Sequence, residues 1–183
     1  MDNVLPEMRR SAKIVNFGIM YGAGAFRLSQ ELSIPRNEAS LIISKYFEQF
    51  PGIQNYINET IDSAKKNKYV ETIFGRKRAI WDIDSENGIR KKAAERMAIN
   101  MPIQGSAAEM IKVAMIAIQE ELTKNTMKSK MILQIHDELI FECPQKEEDL
   151  LVNLVVGKME NAMKLSVPVV VDYGLGNSWL EAH

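Results

Sequence analysis

A chain of 183 residues with 46% hydrophobic and 26% charged side chains is ordinary for a soluble globular protein of one domain, or one and a half. A net charge of −1 argues against a simple coat of positive charge for nucleic acid, and the lone Cys143 excludes an internal disulfide. No apolar run is long enough to span a bilayer and Met1-Asp2-Asn3 carries no signal-peptide pattern, so the expectation is a cytoplasmic chain with no membrane partner and a buried, reduced thiol.

The pattern is mostly helical. A first helix is predicted from about Pro6 to Met20, opened by a proline tolerated in a first turn and stopped by Gly22-Ala23-Gly24. Ser33-Ile34-Pro35 opens a second through about Gln49, and Pro51-Gly52 separates it from a third that ends near Asn67. Tyr69 to Ile80 reads as two short strands around Phe74-Gly75-Arg76, with a basic tip. A long helix from about Gly88 to Leu122 should be kinked where Pro102 and Gly105 interrupt it. Its second half, Ala107 to Ile116, is apolar nearly all round and is expected to be core. A tight acidic hairpin follows, then an amphipathic helix from about Lys146 to Leu165 and a last strand, Val167 to Val171. The fold class expected is α+β, mainly helical, with a small antiparallel sheet.

Charge is unevenly spread. Arg9, Arg10 and Lys13, then Arg76-Lys77-Arg78, then Arg90-Lys91-Lys92 with Arg96 make the first part basic, while Glu138, Glu142 and Glu147-Glu148-Asp149 make the end acidic. Such a chain can grip a polyanion with one part and bind cations with another, although solvated helix surface is the commoner meaning of any single cluster.

Three constellations could carry chemistry. Arg9, Lys13, Phe17 and Tyr21 recur every four residues and form one helical stripe rising about 18 Å. Its order, two cations and then two rings, suits a nucleoside triphosphate lying along the helix; core packing is the plainer reading of the rings. Arg96, Asn100 and Gln104 repeat the spacing on the long helix, with hydrogen-bonding groups suited to minor-groove acceptors. In Gln134-Ile135-His136-Asp137-Glu138-Leu139 the turn carries two adjacent carboxylates, whose repulsion is relieved by Mg²⁺ and a phosphate oxygen; a solvated turn is the alternative.

Together these residues resemble the bacterial DNA polymerase I family, family A. Arg9 to Gly22, with Arg9-Arg10-Ser11-Ala12-Lys13-Ile14-Val15-Asn16-Phe17-Gly18 at its heart, is similar to that family's fingers helix. Arg96 to Ala108 is similar to its palm helix, and Gln134 to Leu139 to its catalytic-carboxylate hairpin. Thr72-Ile73-Phe74-Gly75-Arg76 and Gly176-Asn177-Ser178-Trp179-Leu180 also fit, so the likeness covers essentially the whole chain in the family's order.

The resemblance implies a fingers subdomain over roughly 1–80 and a partial palm over 81–183, in an enzyme of DNA replication or repair. It implies that Arg9 and Lys13 hold the triphosphate of an incoming deoxynucleotide, with Lys13 the general acid for pyrophosphate. Phe17 would pack on the sugar and base, discriminating against dideoxynucleotides, and Tyr21 and Gly22 would line the templating-base site. Asp137 and Glu138 would serve the catalytic Mg²⁺ ions, and His136 would touch the primer terminus. Arg76, Arg96, Asn100 and Gln104 would contact primer-template DNA.

Transfer by two Mg²⁺ ions also requires a carboxylate on a second strand. The family carries it in an Asp-Tyr-Ser motif that would lie before Met1. Of Asp2, Asp62, Asp82, Asp84, Asp137, Asp149 and Asp172, only Asp172-Tyr173 imitates the motif, and glycine follows it. The expectation is a piece of a polymerase lacking its N-terminal part, inactive alone, with an exposed palm edge that favours self-association. The alternative is a non-catalytic nucleic-acid-binding module. A His-Asp phosphohydrolase is rejected, because the only other histidine is His183.

Overall fold

The computed structural model describes residues 4–182; Met1, Asp2, Asn3 and His183 lie outside the described residues. The chain forms two compact units that meet in sequence at Gly105 and Ser106.

In the first unit, α1 (Pro6–Met20) starts on a proline and has Glu7 in its first turn, where a carboxylate favours the helix dipole. It stops where Gly22 takes φ +76°, a left-handed conformation that a glycine adopts without penalty. There the N–H groups of Gly22 and Ala23 donate to the carbonyls of Ile19 and Gly18 at 2.9 and 2.8 Å. A short helix follows, α2 (Ala25–Leu32), then α3 (Arg36–Gln49) and α4 (Pro51–Asn67). Ile19, Leu28 and Ala39 form the centre of this part, packed by Ile14, Val15, Ile42 and Phe47.

Lys68 reverses the chain with φ +64° into β1 (Tyr69–Glu71), which pairs antiparallel with β2 (Lys77–Ala79) in the register Tyr69↔Ala79. The tip is closed by Thr72, whose N–H donates to the Arg76 carbonyl at 3.0 Å and whose Oγ1 accepts from the Arg76 N–H at 3.1 Å. Val70, Ile80 and Ile83 then pack with Ala64 against Ala94, Ala98 and Met101 of α5 (Gly88–Lys124).

α5 is a helix of 37 residues. It continues through Pro102 and Gly105, so neither residue ends the helix. Pro102 has no N–H to return to the Ala98 carbonyl. One residue on, the Ile99 carbonyl accepts the Tyr56 hydroxyl at 2.9 Å from α4. Burial raises the Tyr56 phenol above its usual pKa, against a smaller lowering by Thr60.

In the second unit, Ala114, Ile118 and Leu122 of α5 pack with Leu151 of α6 (Glu148–Glu160) and with Met131, Leu139 and Phe141 from a hairpin. That hairpin joins β3 (Lys130–Ile135) to β4 (Glu138–Glu142). Ile135 pairs with Glu138 and Leu133 with Ile140, but Met131 pairs with Phe141, so Ile132 is an unpaired bulge residue. A 3₁₀ turn, Gln145–Glu147, ties down the hairpin base. Glu147 accepts from the N–H groups of Lys128 and Ser129 at 3.0 and 2.9 Å and from Ser129 Oγ at 2.6 Å. Those hydrogen bonds, the Ser129 hydroxyl first, hold the Glu147 carboxyl below its usual pKa. A last helical turn, α7 (Trp179–Ala182), ends the described chain.

The architecture is therefore mostly helical with two small antiparallel sheets, as the pattern predicts. Three expectations need correction. The second half of α5 is not core all round: Ile111, Ala114 and Ile118 are buried, whereas Val113 and Ile116 are exposed, because hairpin and α6 cover one face of it. α6 ends at Glu160 rather than near Leu165, since the Asn161 side chain donates to the Gly157 carbonyl at 2.8 Å and competes with further helix. Residues 167–171 form no strand. Pro168 lacks a donor, and the Val171 N–H goes to the Glu160 carboxylate at 3.3 Å instead of to a ladder. Among the described residues no helix is long and apolar enough to cross a membrane.

Candidate nucleotide and nucleic-acid interface

Arg9, Lys13 and Phe17 lie along α1 and Tyr21 caps it, so the four-residue spacing does place them on one stripe. Arg9, Lys13 and Phe17 are exposed and Tyr21 is half-buried. The Phe17 and Tyr21 rings stack with centroids 6.1 Å apart and planes inclined by 22°. An open groove of about 310 Å³ runs beside them, lined by Lys13, Phe17, Gly18 and Tyr21 on one side and by Arg27 and Glu31 of α2 on the other. Arg27 Nε donates to the Glu31 carboxylate at 2.7 Å. The pattern gave no sign of this second wall, yet Arg27 and Glu31 stand four apart, the spacing of a helical ion pair. The groove thus offers a cation at one end and a ring pair at the other.

The turn after α1 rests on α5. A Cβ built on Gly22 would lie 3.2 Å from Arg96 Cγ and 3.4 Å from Ile99 Cδ1, a tight fit that the missing side chain of glycine relieves. The expected stripe Arg96, Asn100, Gln104 therefore begins beside the end of the α1 stripe. Arg96 and Gln104 are exposed, and Asn100 is half-buried. Its Oδ1 is buried and has no hydrogen-bond partner among the described residues. An unmet buried acceptor of this kind costs about 1–3 kcal/mol. Arg76, at the exposed tip of the β1–β2 hairpin, is followed by exposed Lys77 and Arg78.

The family model described as DNA polymerase family A matches residues 1–181. The chain belongs to this family. DNA polymerase I of Caldicellulosiruptor bescii is 48% identical over 179 residues, covering 98% of this chain and 21% of that protein. The Treponema pallidum DNA polymerase I is 44% identical over 183 residues, covering 100% of this chain and 18% of its relative. Among solved structures, a POL domain of Pol1 from M. smegmatis in complex with DNA primer-template and dNTP superposes with a TM-score of 0.96 at 42% identity, covering 99% of this chain and 32% of that one. The chain spans about a fifth of the length of the curated relatives it matches.

Side chains able to donate to a metal stand at the turn between β3 and β4. His136 and Asp137 form the two central residues between the paired Ile135 and Glu138, and both are exposed. His136 has φ +54°, a left-handed conformation in which a residue other than glycine is strained. Gln134 Nε2 donates to the His136 carbonyl at 3.0 Å and fixes the bend. Asp137 projects from the tip, and Glu138 is half-buried at the start of β4. A two-ion site requires several donor side chains converging on the metals. Among the described residues, no three His, Cys, Asp or Glu side chains are gathered in that way. Asp137 and Glu138 therefore fit one part of such a site and do not fit the whole, and these residues support no step of transfer through the ions.

Proposed function

We propose that this chain is the nucleotide- and template-handling part of a family A DNA-directed DNA polymerase, serving DNA replication or repair. The observation that carries this reading is the α1 groove, where Lys13 and the stacked Phe17 and Tyr21 rings line a single trough. Arg9 and Lys13 bind the triphosphate of a deoxynucleotide by charge-assisted hydrogen bonds, which suit phosphate oxygens. Lys13, carrying an exchangeable proton, protonates pyrophosphate as it leaves. Phe17 and Tyr21 supply the flat apolar surface for sugar and base, and Tyr21 with Gly22 borders the templating position.

Arg76, Arg96, Asn100 and Gln104 bind primer-template DNA. In the minor groove the guanine N2 amine is the one base donor and the other base edges present acceptors, within the chemistry of the exposed Arg96 and Gln104 side chains. His136 lies at the primer terminus, and Asp137 and Glu138 contribute the ligands for Mg²⁺ that this chain can offer. A complete two-ion set needs further donors beside these two. Residues 1–80 act as fingers and 81–183 as part of the palm. The exposed β3 residues Ile132 and Leu133 form the palm edge through which copies associate when nothing covers it.

Isothermal titration of the full chain with dGTP tests the groove. Arg9→Ala and Lys13→Ala should each weaken binding on the order of tenfold or more, as expected for a lost charge-assisted hydrogen bond. Unchanged affinity in both would remove the reading. In a primer-extension assay the 183 residues alone should give no product; Mg²⁺-dependent, template-dependent synthesis abolished by Asp137→Asn would show that the metal-binding set is complete after all.

A further inference from the structure

We propose that the outer face of the β1–β2 hairpin, with Trp81, Tyr69 and Lys77, is a stacking site for an unpaired base of single-stranded DNA. The inference rests on the reading that the chain handles template DNA, and it concerns a different surface from the α1 groove.

The hairpin divides its residues sharply. Val70, Thr72 and Ile80 are buried, whereas Trp81, the next residue after Ile80, is 89% exposed. A tryptophan side chain has about 150–250 Å² to bury, and a position next to the core offers that option. Here it is left in water. The Ile80 N–H donates to the Lys68 carbonyl at 2.9 Å, which extends the pairing one step beyond β2. Side chains alternate along a strand, so Lys77 and Ala79 leave on the side opposite to Arg78, and Trp81 follows in the turn just beyond Ile80. Tyr69, paired with Ala79, shares that side. Lys77 Nζ sits 4.4 Å from the Tyr69 ring centroid, and the ammonium is held over the ring. Ala79 puts only a methyl group beside Tyr69.

A cation held over one ring, with a second, bare ring two residues beyond the strand, offers flat and positive surface to a negatively tethered ligand. The exposed run Arg76-Lys77-Arg78 supplies cations for the phosphates. Of the acids nearby, Asp84 is ion-paired with Lys68, and Glu71 stands opposite Lys77 in the ladder, leaving Asp82 and Glu86 on the loop beyond. A duplex hides the faces of its bases, whereas a single strand presents them. Stacking on an aromatic side chain is tolerant of sequence and adds on the order of tenfold to hundredfold in affinity per base.

The chain has two tryptophans, so Trp179→Phe leaves Trp81 as the only indole reporter. Titration of this full-length variant with oligo(dT) should quench its fluorescence saturably, with an affinity that falls as salt rises. Adding Trp81→Ala should weaken oligo(dT) binding, read by anisotropy, about tenfold or more, while Trp81→Phe keeps most of it. Blunt duplex is titrated in parallel. Loss of all DNA binding in the parent would overturn the template-handling reading, and the stacking site with it. Duplex binding with oligo(dT) affinity indifferent to Trp81→Ala would overturn the stacking site alone. Trp81 quenching that depends on protein concentration without DNA would assign this face to a second copy of the chain, and would also overturn it.

Discussion

The close approach of α5 to the β1–β2 hairpin yields a test in which the sign of an effect should reverse. Gly105 lies inside α5, where alanine is favoured over glycine by about 0.8–1.0 kcal/mol. A Cβ at that position, however, would come within 2.7 Å of Thr72 Cγ2, closer than any real contact. Thr72 is 4% exposed, β-branched and held through Oγ1 by the Arg76 N–H, so it cannot swing aside. Overpacking of this kind costs about 1–3 kcal/mol, which exceeds the gain in helix propensity. Gly105→Ala should therefore lower stability by about 1 kcal/mol, or some 2–4 °C in melting temperature for a chain of this size. Thr72→Ser removes the obstructing methyl and keeps the hydroxyl acceptor. In that background Gly105→Ala should raise stability by nearly 1 kcal/mol, giving a coupling of about 2 kcal/mol between the two positions. Urea unfolding followed by circular dichroism measures all four corners of the cycle. Gly105→Ala that stabilises the parent, or that destabilises equally in both backgrounds, would refute the steric argument.

Acid stability should depend on Glu147. Its carboxyl is held below the usual value chiefly by the Ser129 hydroxyl, so its contribution is present above the ordinary carboxylate range near pH 4.3 and is lost as pH falls through the depressed value. In Ser129→Ala the Glu147 titration followed by NMR should move up toward the ordinary range, with acid unfolding starting at higher pH; an unmoved titration would contradict this. His136→Gly relieves a left-handed φ and should stabilise the chain by about 1 kcal/mol in urea unfolding. Tyr56→Phe deletes the donor to the Ile99 carbonyl and should cost about 1 kcal/mol, seen as a lower urea midpoint with an unchanged slope.

Much of the helical frame is legible because its boundaries are chemical. Pro6 and Pro51 open helices, and Gly22, with its positive φ, closes one. The four-residue stripes survive for the same reason, since helical spacing alone puts Arg9, Lys13 and Phe17 on one side of α1. α2 escapes notice because eight residues between Gly24 and Ser33 show too few turns for periodicity to register, and with it the Arg27–Glu31 wall of the groove is lost. The strand expected at 167–171 fails for a different reason. β-propensity in Val167, Val169 and Val170 says that a segment can pair, but not that a neighbour exists. Burial is the least legible property: Trp81 and Ile80 look equally apolar, yet Ile80 is buried and its neighbour lies exposed in the turn that follows.

The extra residue in β3 has a mechanical meaning. With Ile132 removed, Met131 would still oppose Phe141 and Leu133 would still oppose Ile140, so no side chain would change faces. What the insertion changes is the strand's bend and twist, and hence the direction in which the tip carries Asp137. Excising a single codon would then act as a steering adjustment, separating where the carboxylate aims from whether the hairpin forms.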